Sequence, residues 1–171
     1  GHRAAPVGDL ATAIQEAKRP LFVFGGGCVN VQSYIPNEVY VRDLMRRSGA
    51  AAFTTYAGRG LLATDDPLNF GAFMPRPSSA DVFAKADLVV VFGSELAQGD
   101  VWRDALGHDC PLVRIDIDPT VLAQGHNTKA QIQGDAISVI MALNELLPQD
   151  TPAKWDAALI AQKRTAWRNE V

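Results

Sequence analysis

Apolar residues recur along the chain with two alternating periods. Leu10, Ala13, Ile14 and Ala17 fall at helical spacing between Asp9 and Ala17, giving a helix one apolar face. Arg19-Pro20 ends that helix, because a residue before proline is turned away from helical geometry. Leu21-Phe22-Val23-Phe24 then runs without polar alternation, as a parallel strand covered on both faces does, and Gly25-Gly26-Gly27 closes it. Pro36 or Asn37 starts a helix with Val41, Leu44 and Met45 inward and a C-terminal cap at Ser48-Gly49.

Ala50-Ala51-Ala52-Phe53-Thr54 reads as the second strand. The stretch from Thr55 to Pro77 is rich in Gly and Pro, with Asn69 to Phe73 as a short strand inside it. Ser78-Ser79-Ala80-Asp81 has capping-box spacing and opens a helix to about Ala86. Leu88-Val89-Val90-Val91-Phe92 is continuous and β-branched, which places it at the sheet centre. Leu112 to Asp116 and Ala130 to Gln133 follow as strands, and Asp135 caps a helix with Ile137, Ile140 and Met141 inward. Thr151 to Val171 is polar and helix-prone, with Trp155, Leu159 and Trp167 on one side, and reads as a C-terminal helix or interdomain linker leading towards a missing neighbour.

Strands and helices alternate throughout, which predicts an α/β fold: a doubly wound, Rossmann-like, mostly parallel six-stranded sheet with helices on both faces and right-handed crossovers. At 171 residues the chain suffices for one buried core. No internal repeat, low-complexity tract or heptad run calls for a solenoid or coiled coil. Gly1-His2 looks like the scar of a removed tag, so residues 1–7 are read as scar and linker, 8–150 as the domain and 151–171 as the C-terminal segment.

The net charge of -3 and a pI near 5.5 supply no basic field, so neither nucleic acid nor an anionic membrane is an expected partner. Apolar runs such as Leu88 to Phe92 stop far short of the roughly twenty residues of a membrane-spanning helix. Cys28 and Cys110 lie far apart in sequence without CxxC spacing, which suits a reducing cytoplasm and reads as two small buried residues.

In such a sheet, ligands bind beyond the carboxyl ends of the strands. Gly25-Gly26-Gly27 follows a strand as a phosphate loop does, yet Asn30 stands where the dinucleotide fingerprint needs its third glycine. The second strand ends in Thr54-Thr55, without the acid a nicotinamide site expects. The glycines therefore read either as a phosphate approach or as a tight turn. Gly93 and Ser94 offer amides and a hydroxyl after the central strand, with Glu95 entering the same crevice or pairing with Arg103. Asp116 reads as a ribose acceptor or a structural acid, and Asp118 as a turn and cap or a second ribose contact. His2, His108 and His126 share no ligand spacing, so no metal site and no general base is expected. Gly93-Ser94 lacks the nucleophile-elbow pattern, and Trp102 reads as packing.

Several of these elements in order resemble the central domain of thiamine-diphosphate enzymes of the acetolactate synthase and 2-oxoacid decarboxylase superfamily, over about residues 8–147. They are Ala17 to Pro20 before Leu21 to Gly27, Gly58-Arg59-Gly60 followed by Asp66-Pro67-Leu68 and Gly71, Ala86-Asp87-Leu88 to Gly93-Ser94, and Ile115 to Pro119 followed by Gly134-Asp135. The resemblance implies a parent enzyme, a homodimer or homotetramer. Its thiamine diphosphate and Mg²⁺ sit across a subunit interface between the two domain types that flank this segment in the same polypeptide, and this segment alone is inactive. The implied reaction is decarboxylation of a 2-oxoacid, ending in protonation or carboligation. Gly134-Asp135-Ala136 lacks the second glycine and the later asparagine of the family's Mg²⁺ motif, so no metal residue is assigned. Members bind FAD, ADP or nothing in this domain, and the loops such nucleotides touch hold Gly25, Gly26, Gly27, Gly93, Ser94, Asp116, Asp118 and Asp135. Flavin-binding members carry an arginine where Glu95 stands, and a carboxylate near a pyrophosphate favours ADP over FAD. The alternative expectation is a self-standing nucleotide-binding module of a flavoprotein or nicotinamide enzyme.

Overall fold

In the computed structural model, residues 4–29, 34–94, 96, 106–119 and 130–170 are described. The expectations placed on His2, Asn30, Glu95, Trp102, Arg103 and His126 lie outside them. The described chain runs α1 (Ala4–Glu16), β1 (Pro20–Phe24), a 3-10 turn (Gly26–Cys28), α2 (Asn37–Ser48), β2 (Ala51–Thr54), β3 (Asn69–Gly71), α3 (Ser79–Lys85), β4 (Leu88–Phe92), β5 (Leu112–Asp116), β6 (Ala130–Gln133), α4 (Ala136–Leu146) and α5 (Ala157–Asn169).

The strands form one sheet in the order β3-β2-β1-β4-β5-β6, and every pairing is parallel. β1 and β4 are the central pair, in register from Pro20 opposite Leu88 to Phe24 opposite Phe92. Their unbroken apolar runs follow from this position, since alternate residues point to opposite faces and both faces are covered. Phe22, Phe24, Ala52, Val90, Phe92 and Ile115 enter a core beneath α1, α2 and α4. Leu21, Val23, Phe53, Val89, Val91 and Leu112 enter a second core with Phe83 of α3 and Ile160 and Trp167 of α5. The first core is anchored by Phe24 stacked on Phe92 at 5.3 Å between ring centroids, and the second by Phe53 between Phe70 and Phe83 at 4.9 and 5.2 Å.

Local signals fix most boundaries. Gly49 ends α2 in left-handed geometry at φ 70°, donating its amide to Met45. Asp135 caps α4, its carboxylate accepting from the amide and hydroxyl of Ser138 at 2.9 Å each.

Four expectations need correction. The first helix begins at Ala4 rather than Asp9. The Ser78 to Asp81 capping box does not form: Ser78 is itself helical at φ -71°, ψ -6°, its Oγ accepts from Trp167 Nε1 at 2.8 Å, and Ser79 Oγ donates to the Met74 carbonyl. Met141 is exposed, because Val139, Ile140 and Leu143 take the inner face of α4.

The fourth concerns Leu159 in residues 151–170, a segment that forms a C-terminal helix, α5, packed against this sheet. Lys154 Nζ donates to the carbonyls of Ile14, Gln15 and Ala17, and Trp155 Nε1 to that of Pro20 at 2.7 Å. Arg164 Nη1 donates to the carbonyls of Thr64, Asp66 and Asn69. Trp155 and Trp167 are buried in this domain, but Ile160 replaces Leu159 as the inward aliphatic, because Trp155 precedes the helix and sets no helical phase.

Candidate functional site

The strand order reverses between β1 and β4, which places the topological switch point of the sheet at the carboxyl ends of those two strands. Gly25-Gly26-Gly27 and Gly93-Ser94 meet there, because β1 and β4 are neighbours in the sheet. The meeting is a close backbone contact. Gly25 N–H donates to the Phe92 carbonyl at 2.9 Å and Gly27 N–H to the Gly93 carbonyl at 2.8 Å. A Cβ on Gly25 would stand 2.5 Å from Ser94 Cβ and 2.6 Å from the Gly93 oxygen, so only glycine permits this approach. Gly27 would meet Gly93 Cα at 2.8 Å, and Gly58, in the loop after β2, would meet the Phe24 oxygen at 2.4 Å. The glycines thus interlock three loops, and the amides of Gly25, Gly27, Gly58 and Gly93 are all spent on neighbouring carbonyls.

The polar side chains at this edge also have internal tasks. Ser94 is buried, and its Oγ accepts from the Leu96 amide at 3.0 Å. Asp116 ends β5, and its Oδ1 accepts from the Asp118 amide at 2.9 Å, an Asx turn that directs the chain away from the sheet. The Asp118 carboxylate is exposed beyond it. Asp116 and Asp135 both lie close enough to Cys28 to act on it: burial pushes the thiol up to about 12, and the two carboxylates add to the shift. Cys28 donates to the Phe92 carbonyl at 3.5 Å and is fully buried, so it is an inert filler beneath the loops rather than a nucleophile.

Two features were missed in the sequence. Arg114 stands in the middle of β5, 1% exposed, its Nη2 donating to the Ser94 carbonyl at 2.9 Å, and desolvation lowers its pKa. A cation inside an otherwise apolar strand was the available signal. The second is the pair Tyr56 and Arg59 in the loop after β2, both exposed, with the guanidinium 3.5 Å above the ring centroid. Nothing in their spacing announced the stack, because it depends on the turn that Gly58 makes.

Thiamine diphosphate and Mg²⁺ do not fit the described residues. No group of three His, Cys, Asp or Glu side chains converges among them. The Asp135 carboxylate that a diphosphate-bound cation would need is the cap of α4.

Residues 7–143 match the model of the family described as thiamine pyrophosphate enzyme, central domain. The chain is 33% identical to a probable 2-ketoarginine decarboxylase of Pseudomonas aeruginosa, over 99% of its own length and 29% of that protein. It is 26% identical to the large subunit of acetolactate synthase isozyme 1 of Escherichia coli, over 86% of its length and 26% of that protein. In structure it is similar to benzoylformate decarboxylase from Polynucleobacter necessarius, with a TM-score of 0.67 at 19% identity, over 90% of this chain and 28% of that one. The chain therefore spans less than a third of these relatives.

Proposed function

The chain belongs to the thiamine pyrophosphate enzyme central domain family, and from that premise we propose that it is the middle module of a larger thiamine-diphosphate-dependent enzyme acting on 2-oxoacids. The carrying observation is the full-length match of this chain to less than a third of a decarboxylase. The same match favours decarboxylation over carboligation, since the synthase relative is less similar. A self-standing nucleotide-binding enzyme is not favoured, because the carboxyl edge keeps its glycines for internal contacts.

In this reading flanking domains of the same polypeptide hold thiamine diphosphate and Mg²⁺, and the parent is a homodimer or homotetramer in the cytoplasm. When bound, that cofactor supplies the carbanion chemistry of decarboxylation. This chain contributes the scaffold: the β1 and β4 loops are locked together by Gly25, Gly27 and Gly93, and α5 and Arg164 pin the loop after β2. The 171-residue chain with thiamine diphosphate, Mg²⁺ and pyruvate is expected to release no carbon dioxide above the buffer rate. Turnover that a point substitution within the chain abolishes would sink the reading.

A nucleotide at the carboxyl edge would place its phosphates over Gly25, Gly26 and Gly27 beside Gly93 and Ser94, with its ribose near Asp116. With Gly25 and Gly27 amides committed, few donors remain for phosphate, so binding is weak. A millimolar dissociation constant corresponds to only about 4 kcal/mol. ADP is expected to bind ahead of FAD, with amide shifts at Gly25 to Val29 that the Asp116→Ala variant loses. Yellow protein carrying one FAD per chain reverses that ranking.

A further inference from the structure

At the opposite, amino edge of the sheet, a groove of about 560 Å³ opens where β4, β5 and β6 begin. Its volume falls within the roughly 300–1,000 Å³ of small-ligand sites. The floor is aliphatic, formed by Leu10 and Ala13 of α1 against Val113 and Ile132 of the sheet. Leu10, Ile132 and Val113 keep 4, 7 and 8% exposure, whereas Phe22, Val90 and Phe92 deeper in the same core keep none, so water reaches this floor. The charged groups among the lining residues are all acids: Asp9, Glu16 and Asp87.

The three acids are not equivalent. Asp87 accepts from the Lys18 and Arg19 amides at 2.7 Å each, and the Lys154 ammonium lies near enough to feel it. Asp9 and Glu16 are exposed and make no hydrogen bond or ion pair among the described residues. Seven positions apart on α1, they project from the same side of the helix. At 1.5 Å rise per residue they stand about 10 Å apart along its axis, and both line the groove.

We propose that this groove binds a linear aliphatic diamine, an alkyl chain with an ammonium group at each end. The methylenes lie on Leu10, Ala13, Val113 and Ile132, and the two ammonium groups sit at Asp9 and Glu16. A chain of about seven methylenes matches the separation of about 10 Å. None of the residues lining the groove belongs to the carboxyl edge, so the site stands or falls independently of the function proposed above.

The test is titration of the isotope-labelled chain with four probes, read by backbone amide shifts. 1,7-Diaminoheptane is expected to shift amides of Leu10 to Ala17, Val113 and Ile132, with heptylamine about threefold weaker and pimelate, the dianion of the same length, without effect. Ethylenediamine is too short to reach both acids and is expected to match no better than heptylamine. Asp9→Asn and Glu16→Gln should each weaken 1,7-diaminoheptane about threefold, with unchanged circular dichroism because both carboxylates are exposed. Raising salt should weaken it further. Equal binding of pimelate or ethylenediamine, unchanged affinity in the double variant, or shifts confined to Gly25 to Val29 would each overturn the proposal.

Discussion

The two edges of the sheet carry comparable chemistry and use it differently. At the carboxyl edge Asp116, Asp135 and the glycine amides have internal tasks: Asp116 turns the chain, Asp135 caps α4, Gly25 and Gly27 donate to the β4 strand and its loop, and Gly93 donates to Ile115. At the amino edge Asp9 and Glu16 stand beside an aliphatic floor with no partner among the described residues. The carboxyl edge is where this fold class places its ligands, yet here its groups stabilise the scaffold. A glycine run after a strand is therefore ambiguous by itself. What matters is whether its amides face a neighbouring carbonyl or open space.

Substituting Gly25 tests this difference most severely. A valine there must displace Ser94 and the Gly93 carbonyl, and the expected loss is about 2–3 kcal/mol, the upper part of the range for overpacked cores. Urea unfolding measures it. A change below about 0.5 kcal/mol would mean that the loops are not locked, and the contrast between the edges would fail.

Alkaline pH gives a smaller effect at the same edge. Burial raises Cys28 from 9.0 to about 12, so the folded chain holds its proton in a range where the unfolded chain releases it. This contribution to stability is complete below pH 9 and declines as pH rises from about 9 towards 12. One pH unit inside that window corresponds to about 1.4 kcal/mol. The wild type should lose more stability than Cys28→Ala between pH 8 and pH 10 by about that amount. Parallel losses in the two proteins would show that Cys28 is not the shielded thiol described here.

The smallest expected effect has the opposite sign and lies at the amino edge. Gly8 is inside α1, and a Cβ placed on it meets nothing within 4 Å. Gly8→Ala should therefore stabilise the chain by up to about 1 kcal/mol through helix propensity. Destabilisation measured by thermal unfolding would mean that this side of α1 is as tightly engaged as the glycine loops.

Much of this architecture was legible in the chain because it rests on local rules. Leu21 to Phe24 and Leu88 to Phe92 are continuous apolar runs because both strands are covered on both faces, and the β-branched run of Leu88 to Phe92 pointed to the sheet centre, where both strands lie. Gly49 and Asp135 declared the ends of their helices because a left-handed cap and a carboxylate cap each require a particular residue type. Ser78 was misread for the same kind of reason: its spacing suits a capping box, but an indole from a segment nearly ninety positions away takes its hydroxyl.

Period, propensity and chain order act over a few residues or along one path, and they suffice for the alternation of elements and the parallel sheet. That the glycines close on one another, that Trp155 and Trp167 fold back as core, and that Asp9 and Glu16 stay uncommitted emerges once the chain has folded. Each of these depends on which atoms from distant segments come within hydrogen-bond or van der Waals reach, and no pattern along the chain encodes that distance.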